Sequence, residues 1–283
     1  MLNRFRHKTV LITGGASGLG AELVTLFAKL NWQIWIADRQ PEAAEKLAAK
    51  LQQDYSASIS VHRCDVANET EIQALADTIK ASGTPLDVII NNAGIASAGL
   101  LQQTSSDKWQ RTMAVNLNGV FLCCRYFEPL LPARGPGAIV NVASFAAIAQ
   151  APAMLAYNVS KAAVVALSES LRIELGHRDI TVSVACPAFF KTNLMDSLTD
   201  ESPAIRSQVE KWMHHSKLSA ADIASDIVKG LERGKFLIVS HGYAKRLYWF
   251  KRFFPNTYAK KLIKLVPKII QRWQPPAVKH NEE

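Results

Sequence analysis

An apolar run, Thr9-Val10-Leu11-Ile12, stops at Thr13-Gly14-Gly15-Ala16-Ser17-Gly18-Leu19-Gly20 and gives way to the helical pattern Glu22-Leu23-Val24-Thr25-Leu26-Phe27-Ala28. A strand that hands over to a helix through glycines is the opening of a parallel α/β sheet. Glycine permits the positive φ of a tight turn and lets backbone approach a phosphate, while the helix start offers unpaired N–H groups and a positive dipole end. Gly14, Ser17, Gly18, Leu19 and Gly20 are therefore the candidate phosphate loop. Their spacing, Gly-x-x-x-Gly-x-Gly, departs from the more familiar Gly-x-Gly-x-x-Gly, and taken alone it describes a tight βα turn equally well.

A second strand, Gln33-Ile34-Trp35-Ile36-Ala37-Asp38, ends in an acid twenty positions after Gly18, the distance at which a carboxylate meets an adenosine ribose. Asp38 would accept hydrogen bonds from the ribose hydroxyls and repel a 2′-phosphate, which favours NAD. Arg39 beside it could pair with that phosphate, so NADP stays open. A third strand ends at Cys64-Asp65-Val66 and a fourth, Leu86-Asp87-Val88-Ile89-Ile90, runs into Asn91-Asn92-Ala93-Gly94. Asp65, Val66, Asn92, Ala93 and Gly94 thus fall in the crevice beyond strand C-termini where α/β sheets bind ligands.

Further along, Tyr157 and Lys161 stand four positions apart, a step that stacks two side chains on one helical face. A free phenol titrates near pH ~10, and a neighbouring cation favours the phenolate. The spacing predicts that Lys161 lowers the Tyr157 pKa and makes Tyr157 a general acid and base.

Together these residues resemble the short-chain dehydrogenase/reductase family over about the first 240 positions. The likeness rests on Thr13-Gly14-x-x-x-Gly18-x-Gly20, Asn91-Asn92-Ala93-Gly94, Asn116, Ser144, Tyr157-Asn-Val-Ser-Lys161 and Pro187 to Thr192. It implies a Rossmann-type, doubly wound parallel sheet of about seven strands that binds NAD or NADP and moves hydride between nicotinamide and an alcohol or carbonyl. It further implies that Tyr157 exchanges the proton of the substrate oxygen and Ser144 hydrogen-bonds that oxygen. Lys161 would hold the nicotinamide ribose, Asn116 would support a water-linked proton path to Lys161, and Pro187 and Thr192 would border the nicotinamide. The family's usual Pro-Gly is here Pro187-Ala188, which predicts a shifted loop if that residue needs positive φ. Helices around Met113 to Phe127 and Ala162 to Leu175 resemble those that pair subunits, so a homo-oligomer is expected. The competing class is a catalytically silent, dinucleotide-binding redox regulator, which would have no need of Ser144, Tyr157 and Lys161 together.

Nothing between Lys8 and Ser240 resembles a linker, so residues 1–240 are expected to form one dinucleotide-binding catalytic domain and residues 241–283 an extension. Cys64, Cys123, Cys124 and Cys186 have neither disulfide nor metal-ligand spacing, and free thiols fit a reducing cytoplasm. His62, His177, His214 and His215 lack partners at ligand spacing, and no metal is expected. No secretory leader is read at the start of the chain. The formal net charge of +9 is concentrated at the end: from His241 onward ten basic residues face two acids, Glu282 and Glu283, so that the body is nearly neutral.

That basic tail holds two amphipathic segments. Tyr243, Leu247, Phe250 and Phe254 follow helical spacing, with Lys245 and Arg252 opposite. The pattern restarts after Pro255 with Tyr258, Leu262, Leu265 and Ile269, and Pro267 is expected to kink or end it. The apolar face fits the body or a second subunit, the surface of an anionic membrane, or a protein partner; nucleic acid is disfavoured by the apolar stripes. On the substrate side, Phe145-Ala146-Ala147-Ile148-Ala149, Met154-Leu155-Ala156 and Ala188-Phe189-Phe190 with Leu194, Met195 and Leu198 are apolar, and Lys191 is their one cation. Phe145, Phe189 and Phe190, with Ser144 and Tyr157, are the candidate substrate contacts, and Thr199 to Lys217 a lid. A small, apolar, lipid-like secondary alcohol or ketone is the expected substrate.

Overall fold

Alternation within each strand sorts side chains to two sides of the sheet. Val10 and Ile12 of β1 (Thr9–Thr13) enter one apolar cluster and Leu11 the other; Val88 and Ile90 of β4 (Val88–Asn91) part from Ile89 in the same way. Both sides are covered, so the central strands are buried end to end, as parallel sheets require. The computed structural model describes residues 2–133, 135–190 and 216–273, with side chains described as far as Pro267.

The remaining strands are β2 (Gln33–Asp38), β3 (Ile59–Arg63), β5 (Gly137–Val142), β6 (Ile180–Ala185) and β7 (Leu237–Ile238). All seven run parallel in the order β3-β2-β1-β4-β5-β6-β7. The sheet is doubly wound, with seven strands as expected. Helices α1 (Gly18–Lys29), α2 (Pro41–Tyr55) and α8 (Ala220–Glu232) cover one face through residues such as Leu23, Phe27, Leu51 and Ile227. Helices α3 (Glu69–Ala81), α5 (Gly119–Phe127) and α7 (Leu155–Leu175) cover the other through Ile72, Ile79, Phe127 and Val164. Each such fully buried side chain contributes about 1.5–3 kcal/mol.

The winding reverses between β1 and β4, and their C-terminal ends open the crevice. A buried polar chain ties α7 to it: Asn91 Nδ2 donates to Asn141 Oδ1 at 2.8 Å, and Asn141 Nδ2 donates to Ser168 Oγ of α7 at 3.0 Å. Between α4 (Ser106–Met113) and α5 the helix widens into a π turn at Ala114–Asn118. The stretch after Ser144 contains a single helical turn, α6 (Ala146–Ala149).

Two helices follow β7: α9 (Gly242–Phe253) and α10 (Pro255–Trp273). The proline at 255 opens α10, where its missing N–H costs nothing. The expected end at Pro267 does not occur, because α10 runs through it to Trp273. Pro267 and Ile263, the residue whose carbonyl loses its donor, are both exposed, so water can replace the lost hydrogen bond.

Candidate active site

At the nucleotide end, positive φ is confined to the glycines that need it, Gly14 at +65° and Gly18 at +54°. The loop closes so tightly that a Cβ on Gly20 would lie 1.9 Å from the Gly14 carbonyl oxygen. The Ser17 side chain makes no capping bond to α1, which leaves first-turn N–H groups for an anion. Asp38 is buried and already fixed, its Oδ2 accepting from Ala16 N at 2.9 Å and its Oδ1 from Gln40 N at 3.0 Å. Arg39 is exposed beside it. Asn92 laces the loop to β4, its Nδ2 donating to Thr13 O at 3.0 Å and Gly14 O at 2.9 Å, while Thr13 Oγ1 accepts from Asn92 N and Ala93 N. Thr13 was absent from the expected site residues; its place at the last position of an apolar strand, just before the glycines, was the available signal.

One cleft of about 760 Å³ runs from this loop past Asp65, Val66, Ala93 and Gly94 to Ser144, Tyr157, Lys161 and Pro187. It is large enough for a dinucleotide with room beyond. These donors and glycines fit such a cofactor: Asp38 at the ribose end, the start of α1 at the pyrophosphate and Lys161 at the far end. Thr192 lies outside the described residues, as do Lys191, Leu194, Met195, Leu198, His214, His215 and nearly all of the expected lid. Ala188 does not adopt positive φ, so alanine fits there without strain and the expected loop shift has no backbone cause. Phe145 N donates to Pro187 O at 2.8 Å, which holds that loop against α6.

At the other end Ser144 lies close enough to the Tyr157 phenol to favour its ionised form. Lys161 lies 5.9 Å from the Tyr157 ring centroid and donates from Nζ to Val142 O at 3.0 Å. Asn116, in the π turn, exchanges hydrogen bonds with Ile95, accepting from its N at 2.8 Å and donating to its O at 2.9 Å, and also donates to Ser160 Oγ at 3.2 Å. A π turn beside a site is a frequent device for aiming one side chain. The expected depression of the Tyr157 pKa by Lys161 is not found. Burial pushes the phenol above its ordinary value and only Ser144 pulls it down, because Lys161 is already neutral where the phenol ionises. Burial also lowers Lys161, to about 8.

The substrate end is lined by Phe145, Ala146, Met154, Phe189, Tyr243 and Leu247. Phe189 packs on the buried cluster of Ala146, Met154 and Tyr157, whereas Phe190, although it borders the cleft, belongs to the core under α1 and α8. Tyr243 and Leu247 come from α9 and were not expected here. Phe145 and Tyr243 meet edge to face at 6.4 Å. Lys251 Nζ donates to Ile148 O at 2.5 Å, and the Tyr258 hydroxyl donates to Ala149 O at 2.6 Å, so the tail grips α6. The apolar face of the tail therefore meets the body in part: Ala244 and Tyr258 are buried, but Phe254 is 57% exposed.

The family model described as short chain dehydrogenase matches residues 8–203. The chain is 34% identical to the D-threitol dehydrogenase of Mycolicibacterium smegmatis, over 85% of this chain and 94% of that protein. It is 32% identical to the cyclopentanol dehydrogenase of Comamonas sp., over 73% of this chain and 82% of that protein. A short chain dehydrogenase/reductase from Burkholderia phymatum, solved in complex with NAD, superposes with a TM-score of 0.82 at 29% identity, covering 89% of this chain and 95% of that one. On these matches, on the strand order and on the cleft, the chain belongs to the short-chain dehydrogenase/reductase family and is a nicotinamide-dependent oxidoreductase.

Proposed function

We propose that the protein is an NAD-preferring dehydrogenase or carbonyl reductase for apolar secondary alcohols and ketones, with Tyr157 as the acid and base. The observation that carries this is the placement of Ser144 against Tyr157 at the point where the nucleotide half of one cleft meets its apolar half. The nicotinamide supplies or accepts the hydride when bound. In reduction, Tyr157 gives its proton to the carbonyl oxygen and Ser144 donates a hydrogen bond to the same oxygen as charge develops there. Burial keeps the phenol protonated at neutral pH, the form reduction needs. Lys161, charged below about 8, then offsets the negative charge left on Tyr157. Asn116 holds the backbone at Ile95 beside Gly94, which lies between Asn116 and Lys161.

The buried, doubly bonded Asp38 supports NAD over NADP, the alternative that Arg39 would serve. Exposed Trp109, Phe121, Val159 and Ile173 on α4, α5 and α7 support self-association through those helices. The free, buried cysteines fit a cytoplasmic setting. Residues 1–240 form the catalytic unit in this reading, with 241–283 as an extension whose Tyr243 and Leu247 line the substrate end. A second substrate class, small polyols, is favoured by the likeness to a threitol dehydrogenase.

The test is turnover of cyclic and long-chain ketones, secondary alcohols and tetritols with both cofactors, by the native chain and Tyr157→Phe. Loss of about 10³-fold in kcat with cofactor affinity retained is expected for the variant. Equal turnover in the two would sink the acid-base role, and cofactor binding with no turnover of any alcohol or ketone would point to the regulator.

A further inference from the structure

The tail carries an outward face that the cleft does not use. On α9, Trp249 and Phe253 are 55% and 68% exposed, and their rings stack 5.7 Å apart with 16° between planes. Helical spacing places Lys245 and Arg252 on one side of that pair and Arg246 on the other, all three exposed. Phe254, Ile263 and Leu265 extend the apolar surface onto α10 among exposed Lys260, Lys261 and Lys264. No acidic residue occurs between His241 and Asn281.

We infer that this face rests in the headgroup layer of an anionic lipid bilayer and that the cleft draws its substrate from that layer. The second half rests on the apolar-substrate reading above; the first stands without it. An exposed indole stacked on a phenyl ring, rimmed by cations, matches the boundary between acyl chains and phosphates. Each cation there adds up to about 1 kcal/mol. A second copy docked through the same face would set one acid-free, cationic surface against another, and a two-fold contact would repeat every clash. Nucleic acid needs the cations but leaves the stacked rings and aliphatic side chains without a role. Among the described residues no helix is long and apolar enough to cross a membrane, so the helices would lie along the surface.

The same helix connects that face to the chemistry. Ala244 is fully buried, and Tyr243 and Leu247 line the cleft, so only the thickness of α9, about 10 Å, separates the outward rings from the substrate end. An apolar ketone dissolved in the leaflet that the helices touch would pass from lipid to cleft around one helix.

The experiment is co-sedimentation of the full chain with vesicles of phosphatidylcholine, with and without phosphatidylserine, across a salt series. Binding only to the anionic vesicles, weakened by salt and about tenfold or more by Trp249→Ala with Phe253→Ala, or by Lys245→Glu with Arg246→Glu and Arg252→Glu, is the expected result. Both variants should keep native turnover of a water-soluble alcohol, which shows that they fold. No binding to either vesicle, equal binding by native chain and variants, or a dimer or protein complex formed through these residues would overturn the docking. For delivery, turnover of a long-chain ketone held in anionic vesicles should exceed that in neutral ones several-fold for the native chain and not for the variants. Binding without that rise overturns delivery alone and leaves the oxidoreductase reading to the Tyr157→Phe test.

Discussion

At the nucleotide end the cleft is shaped by backbone: a glycine loop with two positive φ angles, a free helix start and an acid clamped by two main-chain N–H groups. At the substrate end it is shaped by side chains from four separated segments, Phe145 and Ala146, Met154, Phe189, and Tyr243 with Leu247. Backbone geometry depends on a few neighbouring residues and fits a ligand part that does not vary. Side-chain walls depend on tertiary packing and can change without disturbing the sheet, so one fold hosts many substrates.

The sharpest break in this comparison is Gly20→Val. Its Cβ would meet the Gly14 carbonyl oxygen at 1.9 Å, so dinucleotide affinity by fluorescence titration should fall about 100-fold or more while helical circular dichroism is kept. Retained affinity would show that the loop yields. Next in size is pH: with Tyr157 protonated throughout, reductive kcat should be level at neutral pH and fall about tenfold per unit once Lys161 discharges above about 8. A profile level to pH ~10 would remove Lys161 from the charge balance.

Within the substrate end, the two adjacent phenylalanines should part company. Phe189→Ala should raise the KM for an apolar ketone about tenfold at unchanged melting temperature, and Phe190→Ala should lower stability by about 3 kcal/mol. The reverse outcome would exchange their assignments. The smallest effect expected is from Leu247→Ala: a KM about five times higher with cofactor affinity unchanged, since one aliphatic wall residue is worth about 1 kcal/mol there. A change in cofactor affinity instead would show that α9 reaches the nucleotide half.

The nucleotide end was legible because its signals are local. Gly14, Gly18, Gly20 and Asp38 lie within 25 consecutive positions, and an acid at the ribose distance turns a loop that alone describes any tight βα turn into part of one ligand site. Tyr157 and Lys161 were legible as a pair, but their electrostatics were not. The depth of burial and the Val142 carbonyl that receives the ammonium are properties of the assembled sheet. The tail shows the limit of periodicity most clearly. Tyr243, Leu247, Phe250 and Phe254 read as one stripe, yet Leu247 turns to the cleft while Phe254 stands in solvent, and Trp249, outside the stripe, is exposed. Aromatic residues occur on several sides of α9, so spacing alone does not tell which side meets the body.

The grip of Lys251 and Tyr258 on α6 joins residues 103 and 109 positions apart. One helical turn has no stability of its own, and its last two carbonyls wait for donors in α9 and α10. During synthesis the sheet and glycine loop can form as their residues emerge, but the roof over Tyr157 must wait until Tyr258 has left the ribosome. A nascent chain halted before α9 would be expected to hold a dinucleotide before it can select what that dinucleotide reduces.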